Sequence, residues 1–303
     1  MVRVDMRERI GQGVFILDGG MGTQLIARGI ELGRCNEYLN IKSPDIISEI
    51  HTAYLQAGSD AVITNTFGAN KCALGRHGLS DKVDEINRAG VEIARKAAGS
   101  DRYILGDIGP SGDFLAPLGT LEPSELKDAF AQQAQALLDG GVDGLIIETM
   151  TALDELEIAV VAVKSVCDLP ILTSMAFDKA GDDFRTMMGV SAGQAVDKMV
   201  SLGVDAVGFN CGTVSLEEYV TLAQLFVEAV CSLSDTTLIY AEPNAGKPEL
   251  VDGEAVYLVG PEDFAEAVDR IHAAGVSIVG GCCGTTPAHI KAIAEKVKNQ
   301  RTP

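Results

Sequence analysis

The chain has 303 residues, 47% hydrophobic and 22% charged, which supplies a large buried core and argues against disorder. Its formal net charge of −19 repels nucleic acid phosphates and anionic lipid headgroups, so no nucleic acid or membrane partner is expected. No apolar run is long enough to span a bilayer, and the charged stretch from Met1 to Ile10 lacks the apolar centre of a signal peptide, so a cytoplasmic location is expected.

Eight short apolar segments recur along the chain: Val14–Gly19, Ala61–Thr66, Tyr103–Ile108, Gly144–Glu148, Ile171–Met175, Ala206–Asn210, Thr237–Ala241 and Ser277–Gly280. They are rich in Ile, Val and Leu with little polar alternation, as strands of a parallel sheet buried on both faces are. Helical stretches lie between them. Ser43-Pro44 opens one as N-cap and first helical residue, followed by Ile46, Ile47, Ile50, Tyr54 and Leu55 at helical spacing. Pro123-Ser124 opens another; Leu153 to Val163, Ala195 to Leu202, Pro261 to Ala273 and Pro287 to Val297 follow. Gly58-Ser-Asp, Gly141-Val-Asp, Gly203-Val-Asp and Gly275-Val-Ser read as helix ends leading into the next strand.

Eight such units without a linker predict an α/β fold, one (β/α)8 TIM barrel over residues 1–303. An open doubly wound sheet is the alternative. The long first connection, from Gly20 to Asn40, is expected to cap the barrel mouth.

Barrels of this kind carry their chemistry at the C-terminal ends of the strands. There the sequence places Asp18-Gly-Gly-Met-Gly-Thr, Thr64-Asn-Thr-Phe-Gly, Gly106-Asp-Ile-Gly-Pro, Glu148-Thr-Met, Ser174-Met, Asn210-Cys-Gly, Glu242-Pro-Asn-Ala-Gly and Gly280-Gly-Cys-Cys-Gly. Three of the 7 cysteines, Cys211, Cys282 and Cys283, fall on this one rim. Three thiolates with a vacant fourth position are the ligand set of a catalytic zinc, whereas structural zinc closes all four. Adjacent strand residues point to opposite faces, so both Cys282 and Cys283 can turn inward only if the chain bends, a freedom expected from Gly280, Gly281 and Gly284. Core packing of Cys211 and a vicinal disulfide between Cys282 and Cys283 are the bland alternatives. Zinc held by three thiolates would keep a fourth, substrate thiolate electron-rich, which suits alkyl transfer onto sulfur.

These phrases, with Asn65-Thr-Phe-Gly-Ala, Pro243-Asn-Ala-Gly and Gly280-Gly-Cys-Cys-Gly-Thr-Thr-Pro, resemble the homocysteine S-methyltransferase family over roughly residues 8 to 298. Within it the chain is most similar to the homocysteine-binding module of cobalamin-dependent methionine synthase. The resemblance implies a zinc-dependent methyltransferase that carries homocysteine to methionine, with Cys211, Cys282 and Cys283 as zinc ligands and catalytic groups. It implies Asp18 and Glu148 at the substrate ammonium, where charge complementarity also calls for carboxylates. Backbone around Gly19, Thr66 and Phe67 would hold the substrate carboxylate, and Asn244 would fill the fourth zinc position without substrate. Hydrogen bonding of Asp18 and Glu148 to nearby backbone, and a turn role for Asn244, are the alternatives.

Thr149 stands where betaine-using relatives place Tyr, and the chain stops soon after its last helix, without their C-terminal arm. Both favour the methionine synthase type and a methylcobalamin or other methylcorrinoid donor, carried by a separate corrinoid protein or by a module of which this chain is one part. A phosphate-binding barrel lyase or aldolase, and a non-enzymatic zinc- or thiol-binding protein, are the competing functions. Cys72, Cys167 and Cys231 read as core, Cys35 as a residue of the capping loop, and His289 as a packing or capping residue.

Overall fold

The computed structural model describes residues 3–31, 33–251 and 254–299; the ends of the expected domain, residues 1–2 and 300–303, lie outside them. Eight parallel strands form one sheet that curls into a nearly closed barrel: β1 (Phe15–Ile16), β2 (Ala61–Ile63), β3 (Tyr103–Ile108), β4 (Gly144–Met150), β5 (Ile171–Met175), β6 (Ala206–Asn210), β7 (Leu238–Glu242) and β8 (Ile278–Val279). The sheet order is β1-β8-β7-β6-β5-β4-β3-β2, and helices connect the strands around the outside. The expected (β/α)8 barrel is therefore the architecture.

The one seam without a backbone ladder, between β1 and β2, is bridged by the Asp60 N–H on the Ile16 carbonyl at 2.7 Å and by two carboxylates. Asp60 accepts the Ile16 N–H at 2.9 Å, and Asp18 accepts the Ile63 N–H at 3.1 Å. Asp60 belongs to one of the Gly-x-Asp phrases. Its counterparts Asp143 and Asp205 likewise accept the N–H of Ile104 and Ile171 from the preceding strand, at 2.8 and 2.9 Å. The phrase thus does two jobs. Gly58, Gly141, Gly203 and Gly275 all take positive φ at helix ends, and the Asp that follows in three of them fixes strand register at the barrel floor.

A helix not anticipated from the sequence, Met6–Ile10, plugs that floor. Met6 and Ile10 pack with Phe15, Tyr103, Leu172 and Tyr240 inside the barrel, while Arg7 pairs with Asp205. The larger apolar core lies between the sheet and the outer helices. Helix Pro44–Ala57 starts where expected, with Pro44 at its first position, but the Ser43 side chain makes no cap bond. Cys231 is a correction. It is exposed, because in helix Leu216–Leu233 the inward face is carried by Tyr219, Ala223, Phe226 and Val230. Cys72 and Cys167 are half-buried.

The first connection does fold over the mouth. Asn65 donates to the Asn36 carbonyl at 2.8 Å and to Asn40 at 3.0 Å, and Glu37 accepts the Gly68 N–H at 2.8 Å. Two antiparallel hairpins rise from the same end, Asp178–Ala180 with Asp183–Arg185 after β5 and Glu249–Val251 with Glu254–Val256 after β7. Among the described residues, no helix is long and apolar enough to cross a membrane.

Candidate functional site

Strands β6 and β8 bring the three rim cysteines together. The sulfurs of Cys211, Cys282 and Cys283 all lie within 4.8 Å of one another, with Cys282 and Cys283 at 3.9 Å, and all are free thiols. A tetrahedral zinc with bonds of about 2.3 Å sets its sulfurs about 3.8 Å apart, so spacing and donor type both fit such an ion. The trio behaves as one electrostatic unit. Hydrogen bonds from Cys211 and Cys282 push the Cys283 thiol down to about 3, while Cys282, giving those bonds to Cys211 and Cys283, is held well above the usual thiol value. A divalent cation bound there would ionise all three sulfurs.

The backbone is bent to make this possible. Cys211 has φ of +54°, a left-handed conformation that costs on the order of 1–3 kcal/mol for a residue with a side chain. It is held by Tyr219, whose hydroxyl donates to the Cys211 carbonyl, and by Gly212, whose own positive φ and contact with the Phe177 carbonyl leave no room for a Cβ. Around Cys282 the expected role of the glycines divides. Only Gly284 takes positive φ; Gly280 and Gly281 provide space, since a Cβ there would stand 2.8 Å from Leu17 and 2.6 Å from Thr285. The Cys282-Cys283 segment is clamped onto the loop after β7. Cys282 N–H donates to the Pro243 carbonyl at 2.8 Å, Cys283 N–H to Asn244 Oδ1 at 3.1 Å, and Ala245 N–H to the Cys283 carbonyl at 2.9 Å.

Asn244 is fully buried, and its Nδ2 also donates to the Gly212 carbonyl at 2.8 Å. It therefore ties the loop of Cys211 to the loop of Cys283.

The thiols open on a cavity of about 360 Å3 whose walls include Asp18, Phe67, Asp107, Glu148 and Glu242. A larger cleft of about 710 Å3, beside Arg34, Cys35 and His77, lies away from the thiols and gathers no such set of groups. Asp18 carries one oxygen on the Ile63 N–H; Glu148 accepts from the Asn210 side chain and from Thr149 Oγ1 at 3.2 Å. Burial pushes the Glu148 carboxyl up to about 7 and Asp18 well above the carboxylate range.

Asp107 and Glu242, at the ends of β3 and β7, were not assigned a role from sequence. Both are buried, and burial lifts both well above the ordinary range. Their signal was present, because a lone acid in an apolar strand buried on both faces has no solvated place to go. Among the described residues, no Lys or Arg lines this cavity to receive a phosphate, which leaves the phosphate-binding reading without support.

Of the backbone groups expected at a substrate carboxylate, the N–H groups of Gly19 and Phe67 have no acceptor among the described residues. Thr66 differs. It is fully buried, and its N–H is taken by the Thr64 carbonyl at 2.8 Å. The Phe67 ring lies over Gly109, where a Cβ would meet it at 2.7 Å. Cys35 donates to Glu37 at 3.3 Å, and burial pushes its thiol up to about 12, which favours the neutral thiol. His289 caps the final helix by accepting the Thr286 N–H and contacts the Val259 carbonyl, as expected.

The model of a family described as homocysteine S-methyltransferase matches residues 15–297. The chain belongs to the homocysteine S-methyltransferase family. It is 37% identical over 319 aligned positions to a methionine synthase of Mycobacterium tuberculosis, covering 99% of this chain and 26% of that protein. It is 36% identical to a methionine synthase of Mycobacterium leprae, covering 97% of this chain and 25% of that protein. The chain thus spans about a quarter of the length of these curated relatives. Among solved structures, the metallated form of the homocysteine methyltransferase MmuM from Escherichia coli superposes with a TM-score of 0.76 at 25% identity, covering 96% of this chain and 99% of that one.

Proposed function

We propose that this chain is a zinc-dependent homocysteine S-methyltransferase of the methionine synthase type, forming methionine with a methylcorrinoid donor. The observation that carries the reading is the meeting of three thiols and two family-matched carboxyls, Asp18 and Glu148, around one small cavity. The methionine synthase relatives support the subtype, as does Thr149 after Glu148.

Cys211, Cys282 and Cys283 would hold the zinc. When bound, zinc supplies a Lewis acid that lowers a thiol pKa and fixes the sulfur in place. The chain's residues do the rest. Asp18 and Glu148 face the homocysteine ammonium with their remaining lone pairs, and the Gly19 and Phe67 N–H groups receive its carboxylate. With both ends of the amino acid fixed, its side chain reaches the cysteines with the sulfur foremost, and the reacting partners lose little further entropy on approach. The left-handed turn at Cys211 and the Asn244 bridge keep the three sulfurs in register. An amide oxygen has two lone pairs, so Asn244 Oδ1 can hold the Cys283 N–H and still serve as the fourth ligand when no substrate is bound. The thiols must stay reduced, which fits a cytoplasmic setting.

The donor partner is supported by the rim. Phe114, Leu118, Met187, Met188, Leu250 and Leu258 are exposed on the segments after β3, β5 and β7, which follow the C-terminal strand ends. Exposed apolar side chains at this end of the barrel suit the docking of a protein or module that brings a methylcorrinoid to the cavity. The test is methionine formation by the zinc-reconstituted chain from homocysteine with methylcobalamin, a methylated corrinoid protein, S-methylmethionine or betaine. Turnover is expected with the corrinoid donors. Turnover confined to S-methylmethionine or betaine overturns the donor assignment, and turnover with none overturns the reaction.

A further inference from the structure

Glu242 is the least explained group in the cavity. It ends β7, where it pairs in register with Asn210, and its side chain is 2% exposed. Its Oε2 has no hydrogen-bond partner among the described residues. Its Oε1 lies against Gly280, where a Cβ would approach it to 3.2 Å. A buried acceptor with no donor costs about 1–3 kcal/mol or more, so its retention in a cavity wall points to a donor that arrives with a ligand.

The neighbouring acids are already partly committed. Asp18 spends one oxygen on the Ile63 N–H, and Glu148 receives Asn210 and Thr149. Asp107 Oδ1 likewise has no hydrogen-bond partner among the described residues, but the charges that act on Asp107 are those of Glu148, Glu242 and Glu37, not of Asp18. Glu242 accepts no hydrogen bond among the described residues, and it stands close enough to both Asp18 and Glu148 for their charges to oppose its ionisation. A primary ammonium carries three N–H donors. With one oxygen left on each of Asp18 and Glu148, the third N–H goes unmatched.

We propose that Glu242 is a substrate-contact residue that takes this third N–H, completing a three-carboxyl cradle that selects thiols bearing an α-ammonium. The inference rests on the reading of the cavity as a homocysteine site. It makes the recognition subtractive as well as attractive. A thiol without the ammonium leaves three buried acids facing each other with no cation among them, and is rejected for that reason.

The experiment is calorimetric titration of the zinc-loaded protein with L-homocysteine and with 4-mercaptobutanoic acid, which keeps thiol and carboxylate but lacks the amine. Wild type, Glu242→Gln and Glu242→Leu are compared. Both substitutions are expected to weaken homocysteine at least tenfold and to leave 4-mercaptobutanoic acid unchanged or tighter. The second ligand also reports that the variants are folded. An unchanged ratio of the two affinities, or equal loss of both ligands, overturns the assignment. Wild type that binds neither thiol overturns this inference together with the homocysteine reading. Wild type that binds homocysteine selectively yet forms no methionine with any donor overturns methyl transfer alone and leaves the cradle standing.

Discussion

The Asn244 side chain accepts the backbone N–H of Cys283 at 3.1 Å while donating to Gly212, the residue after Cys211, so one buried amide spans the two loops that carry the thiols. Removing it frees the Cys283 loop from the Cys211 loop without deleting a sulfur. Groups that orient metal ligands in this way are worth about 10–100-fold in metal affinity. Asn244→Ala should lower zinc affinity by that factor in competition with a chromophoric chelator, while all three thiols still titrate after denaturation. Unchanged affinity would remove Asn244 from the metal centre.

The thiol cluster predicts a stoichiometry. The reduced chain should bind one zinc, and Cys211→Ser, Cys282→Ser and Cys283→Ser should each lose it, since a hydroxyl is not ionised by the ion as a thiol is. Elemental analysis of the purified variants decides this. By contrast Cys231→Ser, on the exposed face of its helix, should retain full occupancy. Retention of zinc by any rim variant would show that the cation is held elsewhere.

Glu148 gives the site a pH dependence. Burial raises its carboxyl to about 7, so below that pH it is neutral and cannot pair with an ammonium. Methionine is the clean probe, because its thioether carries no proton. Its affinity should rise about tenfold per unit as pH climbs toward 7, then level off. Glu148→Gln should flatten that rise and weaken binding at pH 8, with zinc content unchanged. A variant that keeps the break near pH 7 would assign the titration to another acid of the cavity.

Much of this was legible before any coordinates. The strands could be read because all eight are apolar runs buried on both faces, and the cysteines because Gly-Gly-Cys-Cys-Gly has no use in a packed core. What escaped was set by geometry across the barrel. Asp107 and Glu242 lie 135 positions apart and become one cluster with Asp18 and Glu148 only when the sheet closes. The floor helix Met6–Ile10 was missed because five residues show too little periodicity to be distinguished from a charged tail. The glycines beside Cys282 were read as sources of bend, yet two of the three are there because neighbouring side chains occupy the space of a Cβ.

The barrel floor offers a test of what holds the strands in register. Asp205 does two things there, accepting the Ile171 N–H at 2.9 Å and pairing with Arg7 of the floor helix. The Arg7 side chain is 53% exposed, so the ion pair is screened and worth about 0–1 kcal/mol. The bond to a carboxylate from a half-buried N–H is worth about 1.5–3 kcal/mol, and its loss strands the donor. The backbone bond should therefore dominate. Asp205→Asn, which keeps a carbonyl for the Ile171 N–H, should lose less than about 1 kcal/mol in urea unfolding. Asp205→Ala should lose about 2–3 kcal/mol, and Arg7→Ala should resemble the Asn variant. If Asn and Ala at position 205 prove equally damaging, the charge pair and not the register bond secures the floor.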